Sequence, residues 1–225
     1  MTGIGWLALA SATFVGTHFL LSHPLRAGAV RVLGEKGFAG VYSLIALLTL
    51  WWISRAYGPA AAEAPQPIWD VGQAGWIVAT LLMWLGSILF VGSLRRNPAF
   101  PRPGKAISRI DTPRGVFAIT RHPMNIGFAT WAVVHAMVNA TMASLTVSTT
   151  IIILAIGGSF GQDVKKERLL GQQWRDWKAR TSLLPFGKGL ALPDGFALIG
   201  GTLVWLAVTW AHGALGYRPA GIWAC

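Results

Sequence analysis

Charge is scarce in this chain. Asp, Glu, Lys and Arg make up 12% of its residues, against about 25% in an ordinary soluble domain, and that deficit excludes most water-soluble folds. Acidic residues are the scarcer half, eight against 19 basic ones. Cysteine occurs once, at Cys225, so no intrachain disulfide forms, and its terminal position matches no prenylation box. Also missing are a nucleophile triad, a phosphate-binding glycine loop and the spacing of a zinc site, which removes the hydrolase and kinase classes.

What the chain has in abundance is apolar surface, with 53% of its residues hydrophobic. A bilayer core about 30 Å thick requires roughly 20 mostly apolar residues per spanning helix. Six stretches qualify: 4–22, 38–54, 74–93, 124–142, 143–160 and 196–212. The fourth and fifth run together and part at Asn139 and Thr141, a polar break suited to a tight turn. The expected fold class is therefore all-α, a polytopic membrane helical bundle of about six spans in one domain over residues 1–225. The first span lacks a positive leading region and its charges follow the apolar run, so it is expected to stay as an anchor.

The basic residues fall in alternate connections. All of the 19 except Arg55 and Arg218 lie after the first, third or fifth stretch, as Arg26 to Lys36, Arg95 to Arg121 and Lys165 to Lys188. The positive-inside rule makes those loops cytoplasmic, and an even number of spans then leaves both termini outside a bacterial inner membrane. Such loops attract anionic headgroups, so the expected partner is the lipid bilayer and not nucleic acid. Residues 57–67, with Pro59, Pro65 and Pro67, predict an extended outer connection. The prolines at 98, 101, 103 and 113 predict an irregular segment over the cytoplasmic face. Residues 162–180 are helix-compatible, with Val164, Leu169, Leu170, Trp174 and Trp177 on one side, as in an amphipathic helix lying along the inner surface. Gly157, Gly158, Gly161, Gly200 and Gly201 suit close approach of helices in lipid.

Ionisable residues inside a membrane are costly and usually mark a site. His18 and His135 lie within predicted spans, His212 lies near the outer end of the last, and His23 and His122 sit at the cytoplasmic boundary, each followed by proline. On the fourth span Asn125, Phe128, Trp131, His135 and Asn139 follow three- and four-residue spacing and share one face. On the first, Ser11, Phe14, His18 and Ser22 do the same. A neutral imidazole is a good iron ligand whose other nitrogen needs an acceptor; for His135 that acceptor is Asn139 or a carbonyl. At 1.5 Å per residue His18 lies roughly 6 Å from the inner boundary and His135 roughly 18 Å. The bland readings are interhelical hydrogen bonds for His18 and His135, interfacial caps for His23 and His122, and a surface residue for His212.

His18-x4-His23-Pro24-Leu25-Arg26, Leu33-Gly34-Glu35-Lys36-Gly37-Phe38 with Tyr42-Ser43-Leu44, Thr120-Arg121-His122-Pro123 with His135 beyond, and Thr181-Ser182-Leu183-Leu184-Pro185-Phe186 after Asp163 and Trp174 together resemble the NnrU family over nearly the whole chain. That family consists of bacterial membrane proteins linked to nitrite and nitric-oxide reduction, and includes the plant 15-cis-zeta-carotene isomerase, a haem b protein. The resemblance implies haem b with His135 and His18 as iron ligands, and Ala132 where the isomerase carries a switchable cysteine. His122, His23, Asn139 and Trp131, placed by their positions along the spans, are the further candidate cofactor-binding residues, with a lipophilic polyene or a small diatomic molecule as the expected ligand and a membrane redox partner as a possible one. The segment Arg121-His122-Pro123-x3-Gly127 followed by Glu167-x3-Gly171-x2-Trp174-x2-Trp177-x2-Arg180 is also similar to the isoprenylcysteine and phospholipid methyltransferases, which implies S-adenosylmethionine held at the cytoplasmic face. A non-enzymatic accessory factor for denitrification enzymes is the third alternative.

Overall fold

The computed structural model describes residues 1–99 and 110–223. Among the described residues there are eight helices and no strand: α1 (Gly3–Ser22), α2 (Arg26–Glu63), α3 (Gly72–Gly92), α4 (Val116–Ile119), α5 (Pro123–Val138), α6 (Met142–Leu170), α7 (Gln172–Arg180) and α8 (Gly195–Ala214). Five of them, α1, α2, α3, α6 and α8, are long and apolar enough to cross a membrane. An all-helical bundle follows from the solvent, because lipid offers no partner for an unpaired backbone group. Many polar side chains of the spans obey the same constraint, the buried Ser11 hydroxyl of α1 being an exception. The hydroxyls of Thr13, Thr49, Thr80, Thr150, Ser159 and Thr209 each donate to a carbonyl one turn back on their own helix.

α1 forms a hairpin with α2, and α3 packs against both α5 and α8. The long α6 lies between these groups, against α1, α2 and α5. The short connections alternate between two ends of the bundle. One end carries the basic residues; the other gathers residues 64–71, Asn139–Thr141 and the segment after α8. The latter is tied together by Ile4 N–H donating to Glu63 at 3.1 Å, Ile68 N–H to the Ala140 carbonyl at 3.0 Å, and the Trp69 indole to the Met137 carbonyl at 3.1 Å. Packing is tightest where backbones meet. A Cβ on Gly127 of α5 would stand 2.9 Å from the Gly86 carbonyl of α3, and one on Gly201 would overlap the Ile88 backbone.

Several expected boundaries change, each for a local reason. The fourth span is 16 residues, Pro123–Val138, or roughly 24 Å at 1.5 Å per residue. Asn139 ends it and Thr141 caps α6, its hydroxyl accepting from Ser144 N–H at 3.3 Å, so the break falls at the two polar residues. The second helix begins at Arg26 and bends at Gly34, whose φ of 69° leaves the helical region. Residues 57–63 are helical rather than extended. The run Ala60 to Ala62 favours helix, Ala60 is fully buried in the cluster shared with α1, and Glu63 caps the start of α1 across the hairpin.

The single amphipathic helix expected over 162–180 is two pieces. α6 continues to Leu170, Gly171 turns at φ 54°, and α7 starts anew. Its tryptophans do not lie on the bilayer surface either. Trp174 is 0% and Trp177 3% exposed, packed with Ile88, Leu89, Phe117, Ile119 and Ile126 in the core at the basic end. Of the irregular segment expected between α3 and α5, Arg102, Lys105 and Arg109 with Pro101 and Pro103 lie outside the described residues, as does Cys225; the described remainder contains the single turn of α4.

Candidate functional site

Midway along the bundle is an apolar cavity of about 570 Å³, within the usual range for small-molecule sites of roughly 300–1,000 Å³. Every long helix contributes: Phe14 from α1, Leu50 from α2, Phe90 from α3, Trp131 from α5, Leu154 from α6 and Trp205 from α8 all line it. Its polar groups are largely satisfied. The Asn125 amide donates to Ser159 Oγ at 3.0 Å, and Thr209 Oγ donates to the Trp205 carbonyl at 2.7 Å. Leu50, Phe128, Val204 and Val208 line the cavity yet are 40–48% exposed, so it opens sideways, on the face a bilayer would cover.

Three histidines sit one helical turn beyond residues of this wall, and all are held in the same way. His18 Nδ1 bonds the Phe14 carbonyl at 2.7 Å, His135 Nδ1 the Trp131 carbonyl at 2.8 Å, and His212 Nδ1 the Val208 carbonyl at 2.8 Å. A carbonyl only accepts, so each Nδ1 carries a proton, and the neutral form of each ring has its lone pair on Nε2. That is the tautomer a metal requires, with the backbone carbonyl as its supporting partner. The acceptor for His135 is thus the carbonyl; Asn139 is exposed at the C-cap of α5, its backbone N–H bonded to the His135 carbonyl.

Helix direction decides which of these rings meet. α1 runs toward the basic end, whereas α5 and α8 run away from it. The turn from Phe14 to His18 therefore leads to one end of the cavity, and the turns from Trp131 to His135 and from Val208 to His212 lead to the other. His18 packs against Phe14 and, at 5.5 Å between centroids, Tyr42. His135 lies over Trp131 at 4.0 Å and 6.5 Å from His212. The structure does not set His18 beside His135; the two differ in depth, as counting residues along the spans implies. His212 comes beside His135 across separate helices 77 positions apart in sequence, and no local pattern announces it.

The boundary histidines have other surroundings. His122 is 3% exposed, with Nε2 2.9 Å from Asp163 Oδ1. Arg121 reaches the other carboxylate oxygen with Nε at 2.8 Å and a second nitrogen at 2.7 Å. This buried cluster joins the start of α5 to α6, and Arg121 N–H donating to the Ser182 carbonyl at 2.8 Å with Thr120 Oγ donating to the Leu183 carbonyl at 2.7 Å adds the segment after α7. Asp163, one of only eight acidic residues, is the partner that the motif around His122 does not reveal. His23 is exposed at the end of α1, its ring laid across Gly161, where a Cβ would overlap it. Desolvation of that edge, with Lys165 and Arg168 nearby, holds its pKa below the ordinary imidazole value. Glu167, which the methyltransferase resemblance would give to a cofactor, pairs with Lys178 at 3.0 Å and Arg175 at 3.9 Å.

A 15-cis-zeta-carotene isomerase, chloroplastic, from Arabidopsis thaliana is 23% identical over 167 residues, covering 69% of this chain and 42% of that protein. The protein of the same description from Zea mays is 23% identical over 184 residues, 76% of this chain and 46% of its own. The chain thus spans less than half the length of these curated relatives. No solved structure matches. The family model described as NnrU protein matches residues 6–219, which takes in the cavity, all three carbonyl-bonded histidines and the Arg121–His122–Asp163 cluster, and the chain belongs to the NnrU family.

Proposed function

We propose that this protein binds haem b within the membrane, with His135 at the iron, and acts on a lipophilic polyene that enters the cavity from the bilayer, as an isomerase of the zeta-carotene type. The observation that carries the reading is the cavity itself: apolar, aromatic and open on the lipid face, with the His135 imidazole one helical turn beyond Trp131 of its wall and bonded through Nδ1 to the Trp131 carbonyl. The donor chemistry fits haem. His135 presents a neutral nitrogen in a half-buried apolar setting, and among the described residues no group of three or more His, Cys, Asp or Glu offers the closed site a bare ion would need. Two relatives named for carotene isomerisation agree with a polyene substrate.

A bound haem would supply a ferrous iron centre able to interact with a double bond or a diatomic molecule, and His135 would hold it. The chain's own residues do the rest. Trp131, Phe128, Phe90 and Trp205 offer flat walls against which a conjugated chain lies, the amide of Asn125 in the wall is engaged by Ser159, and the absence of charge in the wall disfavours water. The Trp131 carbonyl fixes the His135 ring. In this reading the basic end faces the cytoplasm of a bacterial cell and the end near His135 faces outward, by the positive-inside rule.

The test is the isomer composition of a cis polyene after incubation with the reduced, detergent-purified protein. Conversion toward the trans isomer, lost in Ala155→Phe because that side chain fills the cavity, is the expected result. An unchanged isomer ratio with haem-loaded protein would remove the isomerase.

A further inference from the structure

A second cavity, of about 770 Å³, lies at the basic end where α3 stops at Gly92 and α8 starts at Gly195. Its charged lining is unbalanced. Arg95, Arg96 and Arg114 line it with only Asp111 and Asp194 against them, a surplus of one positive charge. We infer that this cavity is a phosphate-recognition site, with the three guanidinium groups as its donors. The inference is independent of the haem reading, and no residue lines both this cavity and the central one.

The donors are available to an anion. Among the described residues, none of the three arginines belongs to an ion pair. The Arg95 guanidinium lies over the Phe196 ring, 4.7 Å from its centroid, a contact that uses the flat face and leaves the N–H edge for an oxygen acceptor. Arg96 has a φ of 53°, uncommon for a residue with a side chain, and it lines the same cavity as its neighbour Arg95. The Trp177 ring is also part of the wall, and its buried indole N–H has no acceptor. Asp194 Oδ1 accepts from the Ala197 N–H at 2.9 Å, so the start of α8 is capped by the chain itself and is not counted among the donors.

The chemistry of the donors selects the ligand. A guanidinium fork matches the paired oxygens of a phosphate and donates two N–H bonds at once, and a phosphodiester carries the single negative charge that the lining lacks. Its position supplies a source. Both α3 and α8 are long and apolar enough to cross a membrane, so a cavity at their ends lies at the level of lipid headgroups, where basic pockets between spans take phosphate-bearing lipids. From its rim Phe196, Ile199 and Leu203 follow helical spacing along α8 and are all exposed, an apolar strip on which an acyl chain can lie. A soluble phosphodiester presents the same oxygens without the chains.

The experiment follows thermal unfolding of the purified chain in detergent with increasing phosphatidylglycerol, with glycerophosphoglycerol, which is that headgroup without its chains, and with diacylglycerol, which lacks the phosphate. Phosphatidylglycerol should raise the midpoint in a saturable way. A response to it alone assigns the lipid headgroup, and a response to glycerophosphoglycerol as well assigns the phosphate irrespective of the chains. Arg96→Gln and Arg114→Gln, at exposed positions, should each weaken binding about tenfold or more, as expected for loss of a charge-assisted hydrogen bond. Asp111→Asn removes a carboxylate from the wall and should tighten it. Arg31→Gln, exposed at the basic end and outside the cavity, should bind as the wild type does. Equal protection by diacylglycerol, no protection by either phosphate compound, an Arg31→Gln loss as large as those at Arg96 and Arg114, or Asp111→Asn binding no tighter than the wild type would overturn the inference.

Discussion

Replacing Asp163 by Asn is the sharpest probe of what holds the basic end together. The carboxylate is buried, and it accepts from His122 at 2.9 Å and from two nitrogens of Arg121 at 2.8 and 2.7 Å. Asn keeps the shape and one acceptor but removes the charge, which leaves a guanidinium only 13% exposed without its counter-ion. Removing one partner of a buried ion pair costs about 3–5 kcal/mol. At about 1.4 kcal/mol per factor of ten, the unfolding equilibrium should shift by roughly a hundredfold to several thousandfold. Reversible unfolding in mixed micelles, followed by circular dichroism, measures it. The cost belongs to the orphaned charge, so the double variant Arg121→Met with Asp163→Leu should recover most of the loss, as apolar replacements of buried ion pairs often do. A loss below about 1 kcal/mol for Asp163→Asn, the size of a surface pair, would refute the reasoning, as would a double variant no more stable than the single one.

Other consequences are as direct. Gly127→Val should destabilise the contact of α3 with α5 by at least the roughly 1–3 kcal/mol of an overpacked core, because its Cβ meets the Gly86 carbonyl at 2.9 Å; Gly16→Val, with open space around it, should not, and equal loss in both would mean general helix disruption. Ala155→Phe should abolish the quenching of tryptophan emission by a bound polyene, since Trp131 and Trp205 line the same cavity; undiminished quenching would place the polyene elsewhere. The lowered pKa of His23 means the unfolded chain takes up this proton more readily than the folded one. Stability from this site is then complete above about pH 6.5, the unfolded value, and falls as the pH drops through it toward the folded pKa. His23→Phe should flatten that slope, and an unchanged slope would assign it to other groups.

The bundle was legible because the bilayer imposes one rule on every stretch: about 20 apolar residues per span and charge confined to the connections. The break at Asn139 and Thr141 was legible for the same reason, as two polar residues in an otherwise apolar run. Misread elements were those where a second solvent was available. The tryptophans of 162–180 look the same whether they face lipid or a protein core, and only the positions of Phe117 and Ile119 decide for the core. Pro59 and its neighbours signal a loop until Ala60 is seen packed on α1. In the candidate site, the faces carrying Trp131 with His135 and Phe14 with His18 follow from helical spacing. Which faces meet does not, because that depends on the packing of α1, α5 and α8 around α6 and α3; neither the approach of His212 to His135 nor the pairing of His122 with Asp163 follows from a local pattern.

A haem centre beside the apolar membrane cavity is tested most directly by an absorption spectrum of the detergent-purified protein. The expected result is a Soret band that shifts on reduction with dithionite and weakens in His135→Ala while the protein stays folded. A colourless preparation from haem-sufficient cells, or a Soret band indifferent to His135, would contradict it.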